Sequence, residues 1–303
     1  MEYEEGNVRV LGQSERQKTG AAGAGQAAHN SRCKMDTPEA QRTILAALHR
    51  KFIDASHILH HQGVLDAYGH LSARHPFNAE TFIMSRNMPP GTMSSADDLI
   101  EYYVRDAEPV DPGAAGKGFA ERHIHSEVYR RHGDVGAVVH SHAESVIPYT
   151  ITGVPLRPCY HMAGFLGLGT KGWPEVYDVA EHLVEGDVPD LLVRSSHLGE
   201  PLAACFDGGA KVALMRGHGM TIVAPGIEEV VSRCVYTMKN ASIQTAAMAM
   251  QSAFKAQGGP GGLKFLDNRE SEAATQMSRW SAQRPWKLWV REVEASGLYL
   301  NSA

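Results

Sequence analysis

Two histidines separated by one residue close an apolar run at 136–142, G-A-V-V-H-S-H. In a β-strand, residues i and i+2 project to the same face, so His140 and His142 can reach one point at a strand end. Such a pair is either the start of a divalent-metal site or a hydrogen-bonded pair that ends a strand. A third imidazole, His218, lies between two glycines in R-G-H-G-M (216–220), after another apolar run. Three neutral imidazoles would hold Zn²⁺ at about 2.0–2.1 Å and leave a position open for substrate. Zn²⁺ is the first expectation, and Mn²⁺, Co²⁺ and Fe²⁺ suit the same ligands.

A metal-assisted reaction at carbon also needs a group that moves protons. Glu121 opens the helical stretch that precedes the His140 strand. There it either complements the helix dipole or, beside a metal, exchanges a proton with substrate. The turn Gly69–Ser72 adds a glycine, which lets backbone approach a ligand closely, and a serine hydroxyl.

The elements that must position these residues can be read along the chain. Its 303 residues suffice for one large or two small domains. The 43% hydrophobic and 21% charged content is that of a globular protein. A formal net charge of −5 gives no basic footprint for nucleic acid. No apolar run approaches the roughly 18–20 residues that span a bilayer. The acidic N-terminus, M-E-Y-E-E-G-N, has no secretory apolar core. Cys33, Cys159, Cys205 and Cys234 are scattered without a C-x-x-C pair and read as reduced thiols of a cytoplasmic protein.

Residues 1–37 are polar and small and read as a disordered arm. Thr37-Pro38-Glu39 carries a cap, a first-turn proline and an acid, so a helix starts there and runs to about Gly63. Short strands are expected near 68–76 and at Thr81–Ser85, then a helix over Phe119–His132, a strand over Val135–His140 and a helix over Ala143–Thr150. Residues 190–194 and 202–206 are read as strands, as are Lys211–Met215 and Thr221–Ala224. A long helix follows from Ile227 to about Phe254. Residues 257–303 form a helical arm whose Trp280, Trp286 and Trp289 must bury aromatic surface. Residues 38–256 are left as the catalytic domain. Many strands follow one another directly, which predicts a mixed or antiparallel sheet with helices on both faces.

Taken together, E-R-H-I-H-S-E-V-Y (121–129), A-V-V-H-S-H-A (137–143) and R-G-H-G-M (216–220) resemble the class II aldolase/adducin family over roughly residues 40–255. The resemblance implies a three-layer α/β/α fold around a mostly antiparallel sheet, and a homotetramer with active sites at subunit contacts. It implies His140, His142 and His218 as metal ligands and Glu121 as the acid/base group. Non-catalytic adducins lack that ligand set, which this chain keeps. One departure matters: the sugar-phosphate aldolases carry Gly-Asn where this chain has Gly69-His70, which speaks against a sugar phosphate. G-H-L-S (69–72), V-I-P-Y-T-I-T-G-V-P-L-R-P (146–158) and C-Y-H-M-A-G-F-L-G (159–167) are more similar to the decarboxylase branch. That branch includes enzymes resembling hydroxy-pyridinedicarboxylate and dihydroxyphthalate decarboxylases. Under this reading His70, Ser85, Arg86, Arg157 and His161 are candidates to hold a carboxylate or phenolic oxygen. Arginine suits a carboxylate because its guanidinium binds both oxygens, although a structural ion pair explains Arg86 and Arg157 equally well. Tyr299, near the chain end, is a candidate contact from the arm.

Aldol cleavage and decarboxylation both leave an electron pair beside a carbonyl, which a divalent cation stabilises as an enolate. The expectation is a metal-dependent carbon–carbon lyase, aldolase or decarboxylase, acting on a non-phosphorylated oxo- or hydroxy-acid. His161 or His70 is expected to assist. A non-haem iron oxygenase and an adducin-like interaction module on the same scaffold are the competing classes.

Overall fold

A computed structural model describes residues 37–303, so residues 1–36 of the expected N-terminal arm lie outside the described residues. The chain divides into two units with the boundary after Thr43. Helix α1, Pro38–His61, begins in the first unit, and Ile44–Ala303 form the second.

Seven strands form one sheet: β1 His70–Arg74, β2 Thr81–Ser85, β3 Leu99–Tyr103, β4 Ala137–Ser141, β5 Glu175–Tyr177, β6 Val212–Met215 and β7 Gly219–Ala224. Their order is β3-β2-β1-β4-β7-β6-β5. Every pairing is antiparallel except β5 with β6. The expected mostly antiparallel sheet is therefore present.

Strand β4 lies mid-sheet and is buried along its whole length, which is why it reads as a continuous apolar run. Its alternation sorts two cores. Ala137 and Val139 face one, with Leu71 and Ala73 of β1 and Met220, Ile222 and Ala224 of β7. Val138 faces the other, with Phe82 and Met84 of β2 and Val223 of β7. Covering the first core are Phe52, Ile53, Ile58 and Leu59 of α1 and Ile227, Val230, Val231 and Val235 of a 30-residue helix, Ile227–Ala256. Over the second lie helices Arg122–Arg131, through Ile124, Val128 and Tyr129, and Ser196–Ala204, through Leu198 and Leu202. Helices on both faces of the sheet make the three-layer α/β/α arrangement.

Three readings are corrected. Residues 190–194 form no strand, because their backbone groups serve the site described below rather than a ladder. Residues 202–206 belong mostly to the helix Ser196–Ala204, since Leu198 and Leu202, four apart, share its buried face. Trp289 joins the first core at 5% exposure and Trp286 packs against it, whereas Trp280 is 85% exposed among the described residues. The three cysteines among the described residues are free thiols, and none of the described helices is long and apolar enough to cross a membrane.

Candidate active site

His140 lies on the face of β4 that carries Val138, and His142 follows one step past the strand end. His218 arrives from the neighbouring hairpin. Strands β6 and β7 are joined by Arg216–His218, with Gly217 at φ +63°, the left-handed residue that a three-residue loop requires. Ser141 pairs with Met220, so the hairpin tip sits beside His142. Gly219 permits the approach: a Cβ there would lie 2.1 Å from the Ser141 carbonyl oxygen. Glu121 stands at the N-terminus of helix Arg122–Arg131 and is 6% exposed.

Nε2 of His142 lies 3.0 Å from Nε2 of His140 and 3.0 Å from Nε2 of His218. Glu121 Oε2 is 3.6 Å and 3.8 Å from the His140 and His218 nitrogens. Glu121, His140, His142 and His218 all offer a ligand atom within 4.8 Å of one another.

The surroundings fix which atoms are free. His218 Nδ1–H donates to the Leu191 carbonyl at 2.9 Å; a carbonyl only accepts, so Nε2 of His218 is a bare lone pair. Thr221 Oγ1, whose own hydrogen goes to Met215 Sδ at 3.3 Å, lies 3.5 Å from His140 Nδ1 and accepts from it, leaving Nε2 of that ring bare as well. Burial, with His142 beside it, holds His218 down to about 4. Burial likewise depresses His140 far below the usual imidazole range, and His142 to a lesser degree. The free Nε2 atoms of His140 and His218, with His142 Nε2 between them, make a donor set that suits a divalent cation. Two nitrogens bound tetrahedrally to one Zn²⁺ sit about 3.3 Å apart, close to the spacing here.

Glu121 differs from its neighbours. Its Oε1 accepts the Val193 N–H at 3.1 Å, and burial pushes the carboxyl up to about 7. A carboxyl that titrates near neutrality is suited to both giving and taking a proton.

One cavity opens here, lined by Tyr68, Gly69, His70, Asn87, Phe119, Ala120, Glu121, His142 and Leu192, with a volume of about 300 Å³. Gly69 adopts φ +78°, and a Cβ there would come within 3.0 Å of the His140 carbonyl oxygen. The glycine thus seats β1 against the end of β4. His70 pairs with His140 across the sheet, and their ring centroids are 5.2 Å apart.

The structure brings together Glu121, His140, His142, His218, Gly69 and His70. Ser72 sits deeper, behind His70, in a buried hydrogen-bonded row. Ser85 is buried at the end of β2 and does not line the cavity. Arg86 donates through Nε to the Asp97 carbonyl at 2.7 Å. Arg157 lines a separate cavity with Lys171, Trp173 and Arg269, and its guanidinium lies 4.3 Å over the Phe265 ring. His161 is exposed at the start of the short helix His161–Gly167. Tyr299 takes a 2.8 Å hydrogen bond with His60 Nδ1 on α1. Sequence reasoning missed Asn87 and Phe119, which line the cavity, and the segment Leu191–Val193, which holds His218 and Glu121 through its backbone.

Comparison with known proteins gives concordant matches. The model of the family described as Class II Aldolase and Adducin N-terminal domain matches residues 35–245. Decarboxylase tropJ of Talaromyces stipitatus is 50% identical over 262 residues, covering 84% of this chain and 97% of that protein. The 3,4-dihydroxyphthalate decarboxylase of Arthrobacter keyseri is 25% identical over 253 residues, covering 80% and 92%. Among solved structures, L-fuculose 1-phosphate aldolase from Glaciozyma antarctica PI12 matches with a TM-score of 0.62 at 20% identity, covering 86% of this chain and 92% of that one. At that identity the likeness concerns the fold.

Proposed function

This chain belongs to the class II aldolase and adducin family, and we propose that it is a divalent-metal-dependent carbon–carbon lyase that decarboxylates a non-phosphorylated aromatic hydroxy- or oxo-acid. The family and its decarboxylase relatives support an enzyme of the lyase type. The observation that carries the finer reading is the placement of one buried carboxyl, Glu121, beside three converging imidazole nitrogens at the wall of one cavity.

His140, His142 and His218 would hold the cation through Nε2, with Zn²⁺ the first choice. When bound, a divalent cation supplies Lewis acidity, drawing off the negative charge that develops beside the reacting carbon. Glu121 delivers a proton from Oε2 to the carbon that has lost carbon dioxide, while the Val193 N–H keeps Oε1 in place. His70 and the Asn87 amide face the cavity and receive carboxylate or phenolic oxygens; Phe119 and Tyr68 supply flat apolar walls for a ring. No lysine or arginine is among the lining residues that this subunit supplies, so it offers no side-chain cradle for a doubly charged phosphate.

The same reading takes the assembly as a cytoplasmic homotetramer. Arg157, His161 and Tyr299 enter it only as groups lent by a neighbouring subunit. The test is a panel of oxo-acids and aromatic dicarboxylates given to the metal-loaded protein with release of carbon dioxide followed. Release from a hydroxylated aromatic acid is expected; release from none of the panel overturns the reading.

A further inference from the structure

Behind the cavity four buried side chains form a hydrogen-bonded row. The Tyr129 hydroxyl lies 2.8 Å from Ser72 Oγ, Ser72 Oγ lies 2.6 Å from His125 Nδ1, and His125 Nε2 lies 2.7 Å from His70 Nδ1. All four residues are buried, and only His70 reaches the cavity. The chemistry above makes no use of Ser72, His125 or Tyr129.

The direction of such a row can be worked out by counting hydrogens. Each hydroxyl carries one hydrogen, and a neutral imidazole carries one on either of its two nitrogens. The row contains no carboxylate, and a cationic imidazole buried without an acidic partner is costly, so both rings are counted as neutral.

In one arrangement Tyr129 donates to Ser72, Ser72 to His125 Nδ1, and His125 Nε2–H to His70 Nδ1. The hydrogen of His70 is then on Nε2, facing the cavity. Every hydrogen inside the row has an acceptor. In a second arrangement the row is reversed, and the Tyr129 hydrogen has no acceptor among the described residues. In a third, His125 and Tyr129 both donate to Ser72, and the Ser72 hydrogen is the one stranded. A buried hydroxyl hydrogen without an acceptor disfavours either alternative about tenfold or more.

We propose that Ser72 and His125, with Tyr129 closing the row, are positioning residues that fix His70 as an Nε2–H donor at the cavity wall, so that the site selects a substrate presenting a bare acceptor oxygen, a carboxylate or phenolate, to that nitrogen. This rests on the cavity being the substrate site of a carboxylate lyase. Because β1 and β4 pair His70 with His140, the selected oxygen is one adjacent to the three-histidine cluster. Within this subunit, the preference of the cavity wall for an acceptor oxygen at His70 then comes from the order of three buried hydrogen bonds.

Neutron diffraction from deuterium-exchanged crystals of the zinc-loaded full chain tests the polarity. The expected map has deuterium on His125 Nε2 and His70 Nε2, and none on His70 Nδ1. Deuterium on His70 Nδ1 overturns the proposal whether or not the protein releases carbon dioxide. The expected map on a protein that decarboxylates nothing overturns the functional reading alone. Selection is tested with phthalate as an unreactive probe, measured by calorimetry on wild type and S72A at equal zinc content. Binding by the wild type, weakened about tenfold in S72A, is expected. Equal affinity in the two proteins, or no binding by the wild type, overturns the claim that the row selects the ligand.

Discussion

The Leu191 carbonyl accepts the Nδ1–H of His218 at 2.9 Å, and it does so from a left-handed backbone with φ +68°. A leucine held in that region carries a cost of about 1–3 kcal/mol, tolerated here because it aims the carbonyl at a metal-site imidazole. Proline at 191 cannot adopt a positive φ and would turn the carbonyl away. Leu191→Pro is expected to weaken metal affinity about 10- to 100-fold in a chelator competition, while Leu191→Gly, which accepts the backbone, keeps it.

Glu121→Gln retains an oxygen to accept the Val193 N–H and removes only the exchangeable proton. Turnover is expected to fall about 10²- to 10⁴-fold with metal content unchanged, as read by steady-state kinetics beside elemental analysis. Full activity in this variant would remove Glu121 from the proton-transfer role.

Gly69→Ala introduces a side chain at φ +78° against the Leu65 methyl at 2.8 Å and the His140 carbonyl oxygen at 3.0 Å. The strain falls on the end of β4. A loss of about 1–3 kcal/mol in urea unfolding is expected, together with weaker metal retention.

Acid acts on the metal-free protein through its buried imidazoles, against an opposing contribution from Glu121, whose raised carboxyl stabilises the fold as pH falls from about 7. Burial holds His125 down to about 3, against an ordinary value of 6.5. Between those limits the unfolded chain binds a proton that the folded chain refuses, so the His125 contribution to stability falls as pH drops below 6.5. For His125 alone the loss at pH 5 is about 2 kcal/mol. Urea midpoints measured at pH 7.5 and pH 5 in wild type and His125→Gln check this: the variant is expected to lose the His125 share of the pH dependence and to keep what the other buried groups contribute.

The three-histidine cluster is legible in the sequence because its signals are local. A period-two pair at the end of an apolar run needs no knowledge of the rest of the fold, and R-G-H-G marks a hairpin tip by its glycines. The sheet class followed from strands that succeed one another without intervening helices. Leu191–Val193 was misread as a strand because D-L-L-V-R is apolar enough for one, and its real contribution is made by backbone groups that every residue type carries. Strand β5, only three residues long, has no alternation to detect. Asn87 and Phe119 come from loops far apart in sequence, and only the folded sheet brings them to one wall. Arg157 was singled out for its chemistry, yet the packing of 155–159 on Asn240 and Gln244 of the long helix carries it to a different cavity.

The proposed chemistry depends on three imidazoles holding one divalent cation without which the reaction does not proceed. Its most direct test is to strip the protein with a chelator and titrate Zn²⁺ back while following carbon dioxide release from a hydroxylated aromatic acid. No release from the stripped protein, recovery that saturates at one cation per chain, and no recovery in His140→Ala are expected. Undiminished release from the stripped protein would contradict that dependence.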